Sequence, residues 1–456
     1  MAQTYGANVT VDGITSRPDY AYAPPPSFFD GGVAAEAGIF EVTDYGAIAN
    51  DGVADNVAIQ AAIDAAHAAG GGLVHIPEGT FTIAARARDS LGGVTIKSNV
   101  FIQGAGAGET ILQVPDGETN GITGVIRTMG NTENSNFGVA DLTLDGNREN
   151  VATSDTIIGW YNGPTPGATL RDVDVYLLRM EIMNMSGYGF DPHEQTHRLI
   201  IADSVAHHNG LDGFVADYIV DGVYENNISY ANDRHGFNVG TTSNDLLLKN
   251  NVAYENGQDG LKIQPFSGFK PVPFNIVVDG GLYVDNANNG IELRAAHDVL
   301  IRDVTVEGNG RDGLLLNGAS NVTVEESQIY NNSAAKAGAY SELLIRGLVD
   351  MDEGLTRDFF AQYNLIRNNS IISTTHESNY GIAEVDTLLG PNWVTGNMVS
   401  GTIGAGVRLL NGTSLELFDT PYLAEENIVL HRVNAGGVGV AAIDGGPDWA
   451  GDVKAA

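Results

Sequence analysis

The chain contains no cysteine, which excludes disulfides and thiolate chemistry. Cations are also scarce. Lys and Arg total 23 against 57 Asp and Glu, a formal net charge of −34. So acidic a surface repels nucleic acid and anionic membranes, and neither is expected as a partner. No apolar run is long enough to span a bilayer. The opening MAQTYGANVTVDG lacks the basic and apolar regions of a conventional export signal. With so few cations, those present report strongly on any anionic ligand.

Glycine is abundant, with 58 copies and no collagen-like triplet. Asn and Asp recur beside the glycines. All three residues tolerate positive φ, so the composition predicts many short strands joined by tight turns. Residues 1–38 carry Pro24, Pro25 and Pro26 in a row and read as an extended arm. Residues 39–430 read as one catalytic domain, and 431–456 as a tail. A helix is expected over 55–69, with Asp55 as N-cap, Ile59, Ile63 and Ala66 on one face, and Gly70 to Gly72 as its stop. LVHIPEGTFTI then reads as an alternating strand pair turning at Glu78–Gly79.

The middle of the chain repeats. SGYGFDPHE, GLDGFVADY, NDRHGFNVG, GQDGLKIQP, NANNGIELR and GRDGLLLNG align on Gly189, Gly213, Gly236, Gly260, Gly290 and Gly313. The steps are 24, 23, 24, 30 and 23 residues, a solenoid period. The long step contains the extra loop FSGFKPVP. Each period contains two or three strands, one coil of an all-β parallel β-helix. The helix over 55–69 would cap its open end, which otherwise exposes core and strand edges.

Equivalent positions on successive coils stack about 4.8 Å apart. One residue after each glycine stand Phe190, Phe214, Phe237, Leu261, Ile291 and Leu314; three after stand Pro192, Ala216, Val239, Ile263, Leu293 and Leu316. Both columns are apolar and must point inward. Alternation then turns the second and fourth positions outward. One side of the solenoid thereby gathers Tyr188, Asp191, His193, Asp217, Arg234, His235, Asn238, Lys262 and Arg294, with Gly240 leaving space in the row. Asp212, Asp259 and Asp312, beside the turn glycines, read as structural. A Tyr, two His, two Asp and several cations on one face of a cation-poor chain read as a site for an anionic substrate.

His193 to His197 spell the H-E-x-x-H zinc pattern, which works only on a helix. On a strand, residues four apart are separated by roughly 13 Å, too far for one ion. Gly104 to Gly108 resemble a dinucleotide fingerprint but no βαβ unit follows. Asp191 and Asp217, on adjacent coils, suit glycoside hydrolysis, calcium coordination or the tuning of a neighbouring imidazole.

The strings MSGYGFDPHEQT, DSVAHHNGLDGFVADY and NDRHGFNV, with DLTLDGNREN and GWYNG upstream, resemble the catalytic modules of secreted, calcium-dependent mannuronan C-5 epimerases. The opening DYGAIANDGVADNVAIQAAIDAA is similar to the start of the broader pectate-lyase-like superfamily. The resemblance implies a right-handed parallel β-helix acting on alginate, and conversion of β-D-mannuronate to α-L-guluronate within the polymer. It also implies a bound calcium ion with unassigned ligands, a secreted protein and a single working copy. Through YGFDPHE and DGFVADY it places catalytic roles on Tyr188, His193, Asp191 and Asp217. The sequence departs from the family in lacking glycine- and aspartate-rich calcium nonapeptides. It also has Thr156, Ile157 and Ile158 where a basic residue is expected before GW.

C5–H of a uronate lies α to a carboxyl group, so its removal requires that charge be neutralised. Arg234, His235, Lys262 and Arg294 are the expected cations. One of His193 and Tyr188 is expected to take the proton and the other to return one from the opposite face, with His193 the favoured base and Tyr188 the favoured donor; Asp217 would orient the imidazole and Asp191 protonate or hydrogen-bond the substrate carboxyl. Expulsion of the 4-O substituent from the same anion would make the enzyme an alginate lyase. A carboxylate-pair hydrolase and a polysaccharide-binding β-helix are the alternatives from other classes.

Overall fold

The computed structural model describes residues 38–417 apart from 86–91, 164–169, 194, 266–270, 353–354, 375–377, 386–387 and 411–414. The expected tail, most of the expected arm and most of the FSGFKPVP loop lie outside the described residues.

Each coil contributes one strand to each of three sheets of 14, 12 and 12 strands. Neighbouring strands pair in parallel, so the parallel β-helix expected from the repeat is what forms. The apolar column is in register. Phe190 pairs with Phe214, then Phe237, Leu261, Ile291 and Leu314. The Phe190 and Phe214 rings stack at 4.6 Å, and Phe214 and Phe237 at 4.9 Å. Each such buried ring contributes about 1.5–3 kcal/mol by leaving water, and the stacking fixes the register of the outward rows beside it.

Turns between sheets bury amides. Asn209, Asn232, Asn256, Asn286 and Asn309 each donate a side-chain N–H to the side-chain oxygen of the next, at 2.9–3.1 Å. Asn332 ends the run by donating to Glu342 at 2.6 Å. These are the asparagines upstream of the repeat glycines. A buried amide left unpaired would cost about 1–3 kcal/mol, so the ladder holds coils at one spacing.

The helix runs Asn56–Ala68, with Ile59, Ile63 and Ala66 fully buried over the first coil. Gly70 at φ +96° ends it in a backbone region that other residues avoid. Asp55 stands at the expected N-cap position but makes no side-chain cap. Its carboxylate instead accepts the N–H groups of Ile48 and Thr82, at 3.0 and 2.9 Å, because those donors are otherwise stranded at the coil edge. LVHIPEGTFTI also differs. Its strands Gly72–His75 and Gly79–Thr82 enter different sheets and turn a corner of the first coil rather than pairing with each other.

Among the described residues one antiparallel pair leaves the coil pattern, a hairpin of Leu348–Asp352 and Leu355–Phe359. Phe190–Pro192 and Thr196–Ala202 lie in different sheets, so His193 and His197 share no helix and the zinc pattern has no geometry to act through. No helix of the described residues is long and apolar enough to cross a membrane.

Candidate active site

The outward row beside the aromatic column begins two coils earlier than the repeat suggested. Arg127 pairs with Tyr161, and Tyr161 with Asp191. On the following coils Val215 pairs with Asn238, Asn238 with Lys262 and Lys262 with Glu292. The parallel row carries Asp217, Gly240 and Gln264, then Arg294, Asn317 and Arg346.

His193 stands at the end of the short strand Phe190–Pro192. Its backbone is held on both sides: its N–H donates to Asn162 O at 2.7 Å, and its carbonyl accepts from Thr196 Oγ1 at 2.8 Å. Its Nε2 lies 3.3 Å from Asp217 Oδ2. An acceptor-only carboxylate at that nitrogen favours the tautomer with the proton on Nε2 and the lone pair on Nδ1. The Tyr161 ring lies against the imidazole, with centroids 5.4 Å apart.

Asp191 is buried. Loss of hydration, then the negative charges of Asp217 and Asp212, push its carboxyl well above the usual range. That shift favours the protonated, hydrogen-bond-donating form of the carboxyl relative to an ordinary aspartate. Burial also raises the Tyr188 phenol, reinforced by Asp212 and Asp191 and opposed by Arg234, which bonds it. Tyr188 stays protonated, with a guanidinium beside it.

Two groups were missed by sequence reasoning. Tyr161 is raised above the ordinary phenol range by burial and then by Asp191. Arg127 is buried, with its guanidinium carbon 4.9 Å from the Tyr161 ring centroid. Its Nε donates to Thr128 O and its Nη1 to Thr123 O, at 2.8 and 3.1 Å. Aligning GWYNG on GFDP would have found Tyr161, since Trp160 pairs with Phe190 as an inward residue. Arg127 is hidden by a register shift between Ile158 and Trp160.

Below the row lies a buried polar hub. Asp172 accepts from Thr128 Oγ1, Asn134 Nδ2, Gly163 N and Asn162 Nδ2, at 2.7, 2.9, 2.9 and 3.3 Å. Asn162 is the residue whose carbonyl holds His193, and its side chain also takes the Trp160 indole N–H at 2.6 Å. One carboxylate therefore ties together the segments that carry Arg127, Tyr161 and His193.

The expected cations fare differently. Arg234 keeps a side chain 29% exposed, with Nε 3.4 Å from Asp212. His235 is buried, and loss of hydration lowers its pKa to about 4 despite Asp212. Its Nδ1 accepts the Asp259 N–H at 3.2 Å. The ring is neutral near pH 7, so the expectation that His235 serves as a cation is corrected. Lys262 ion-pairs with Glu292 and lies 3.4 Å from Asp259. Asn238 is fully buried, donating to Asp212 at 2.8 Å and accepting from Gln264 at 3.3 Å. Both sit within a buried network rather than on an open groove. Arg294 pairs with Asp350 of the hairpin at 2.8 Å. Asp212, Asp259 and Asp312 hold the backbone N–H groups of His235, Asn289 and Ser341 at 2.8–2.9 Å, which is their turn-building role.

Among the described residues no group of three or more His, Asp or Glu side chains is disposed to hold a metal ion. The expected calcium thus finds no such ligand set among them.

Parallel coils stacked in register define a class: this chain belongs to the pectate-lyase-like β-helix family. The profile described as "Rhamnogalacturonase A/epimerase, pectate lyase-like" matches residues 39–270, and "Right handed beta helix region" matches 281–419. Within that class the likeness is specific, and the resemblance seen in YGFDPHE holds. Mannuronan C5-epimerase AlgE5 of Azotobacter vinelandii is 47% identical over 384 residues, 84% of this chain and 38% of that protein. The solved A-module of the mannuronan C-5 epimerase AlgE4 of Azotobacter vinelandii superposes with a TM-score of 0.78 at 42% identity, covering 83% of this chain and 100% of the module. Alginate lyase 7 of Azotobacter vinelandii is 40% identical over 82% of this chain and 43% of its own length. The chain thus spans well under two thirds of these two curated relatives and the whole of the solved module.

Proposed function

We propose that this chain is a catalytic module that epimerises β-D-mannuronate to α-L-guluronate at C5 within alginate. The observation that carries the reading is the trio of His193, Asp217 and buried Asp191 on adjoining coils, 3.3 Å separating the first two.

The chemistry follows from the protonation states. Protonated Asp191 donates to the substrate carboxylate and disperses its charge, which acidifies C5–H. The Arg234 and Arg127 guanidiniums add positive potential along the groove. His193 takes the proton through Nδ1 while Asp217 stabilises the imidazolium. Inversion requires a donor on the other ring face, and protonated Tyr188 supplies it. The phenolate left behind is stabilised by Arg234. Arg127 stands one coil upstream of Tyr161, opposite it in register.

All of these groups come from one chain, so a single copy suffices. The polymeric substrate places the work outside the cell, and the enzyme's own acidic surface is offset locally by Arg127 and Arg234. Any calcium requirement would act on binding or fold and would appear as a loss on chelation.

β-Elimination shares the first step and differs only in the fate of the anion. Proton NMR of polymannuronate treated with the protein reads both. Guluronate signals without unsaturated ends are expected. Unsaturated ends alone would replace the epimerase reading with the lyase, new reducing ends without unsaturation would replace it with the hydrolase, and an unchanged polymer would leave a binding module.

A further inference from the structure

The hairpin Leu348–Asp352/Leu355–Phe359 breaks the coil pattern just after Arg346 and folds back over the outer face. Its base is seated on Gly318. A Cβ there would come within 2.7 Å of Leu348 Cβ and Phe359 Cβ, and Gly318 also adopts φ +69°. From that seat the hairpin carries Asp350, itself buried, across to Arg294, where Oδ1 accepts from Nη2 at 2.8 Å. Arg294 belongs to the row headed by Asp217. It lies three coils further on, about 14 Å at the inter-strand spacing of about 4.8 Å.

A uronate polymer running along this row presents a carboxylate to each guanidinium that it passes. At Arg294 that position is already taken, by a carboxylate of the protein itself. Lys262, one coil nearer the reaction centre, is likewise neutralised by Glu292. Arg234 keeps a longer contact to its internal carboxylate, 3.4 Å to Asp212, and Arg346, beyond Arg294 in the row, donates to Asn317 at 3.1 Å, so Arg294 and Lys262 are the row's cations held closest by protein anions. We infer that Asp350 is a specificity-determining residue: it occupies Arg294 in place of a substrate carboxylate and so sets how far along the solenoid a uronate chain is gripped. The inference rests on the reading of this face as the alginate groove, and it names the residue that ends it.

The test measures affinity rather than turnover, so that it can fail independently of the epimerase reading. Oligomannuronates of increasing length are titrated calorimetrically into the wild type, Asp350→Asn, Asp350→Ala, and Asp350→Ala combined with Arg294→Gln. Releasing one partly exposed guanidinium for a carboxylate should tighten binding about threefold. The gain should appear only above a threshold length and vanish in the double variant. An equal change at every length, or weaker binding of the long oligomers alone, would make Asp350 a fold contact or a support for Arg294 and overturn the inference. Gains that persist without Arg294 would overturn it too. If no oligomannuronate binds any form, both readings fall. If binding behaves as inferred while no guluronate appears, only the epimerase reading falls. A melting curve for each variant separates loss of the hairpin from loss of the charge.

Discussion

Asp217 lies 3.3 Å from His193 Nε2 although the two residues are a full coil apart along the chain. The contact exists because Phe190 and Phe214 stack in the core immediately behind them. Replacing Asp217 by Asn keeps the shape but presents either an amide N–H or a weaker acceptor to Nε2. The favoured imidazole tautomer and the support for its charged form are both lost. Epimerisation should fall by about 10²-fold or more in kcat with little change in KM. Equal kcat in Asp217→Asn and wild type would remove the orienting role.

Asp191 gives a prediction with opposite signs for activity and stability. Its folded pKa is raised well above the unfolded value near 3.8. Its contribution to stability is therefore fully present below about pH 4 and is lost as pH rises through the folded value. Asp191→Asn removes that penalty. The variant should melt higher than wild type at neutral pH, by about 2 °C for each kcal/mol relieved. The advantage should disappear below about pH 4, and turnover should be lost at every pH if the proton of Asp191 is essential. A thermal melt series over pH checks the first part and the NMR assay the second.

The buried hub at Asp172 should behave differently from a surface carboxylate. Asp172→Ala removes the shared acceptor of four donors, of which Gly163 and Asn162 keep a second partner, and should cost about 2–4 kcal/mol of stability. Asp172→Asn keeps part of the network and should recover much of that loss. Because the hub reaches His193 through Asn162, kcat should drop in both variants by more than the loss of folded protein explains. Denaturant titration alongside kinetics on the folded fraction separates the two effects.

How much of this was legible in the sequence depends on the residue. The Phe190–Phe214–Phe237 column and the His193–Asp217 neighbourhood followed from a period of 23 or 24 residues, because parallel stacking turns sequence spacing directly into contact. Tyr161 and Arg127 escaped because their coils have other lengths and a shifted register at Ile158/Trp160. Asn238 and Lys262 lie on the face that the repeat gave them, but their partners within the protein were not legible. Alternation gives the side of the sheet, whereas Asp212 and Glu292 decide whether the group is already bonded. His235 was misjudged for a related reason: its charge depends on burial, which a column does not record. Asp350 reaches Arg294 from a hairpin outside the repeat, so no periodic argument could have paired them.

Arg127 should report on polymer binding. Arg127→Ala removes a buried cation and its stacking on Tyr161. KM for polymannuronate should rise about tenfold, the loss of roughly one charge-assisted contact, with kcat less affected. Tyr161→Phe keeps the ring and should stay close to wild type in KM. Steady-state kinetics at two ionic strengths checks this, since loss of a cation contact should also flatten the salt dependence.

Solvent deuterium at C5 tests proton transfer by His193 and Tyr188 most directly. Polymannuronate is treated in heavy water with the wild type, His193→Ala and Tyr188→Phe, and C5 is read by NMR. The wild type should form guluronate carrying one solvent deuteron. His193→Ala should neither exchange nor invert, and Tyr188→Phe should wash deuterium into C5 of unconverted mannuronate without inversion. Normal guluronate formation by both variants, or C5 hydrogen retained in the wild-type product, would contradict proton transfer between these two side chains.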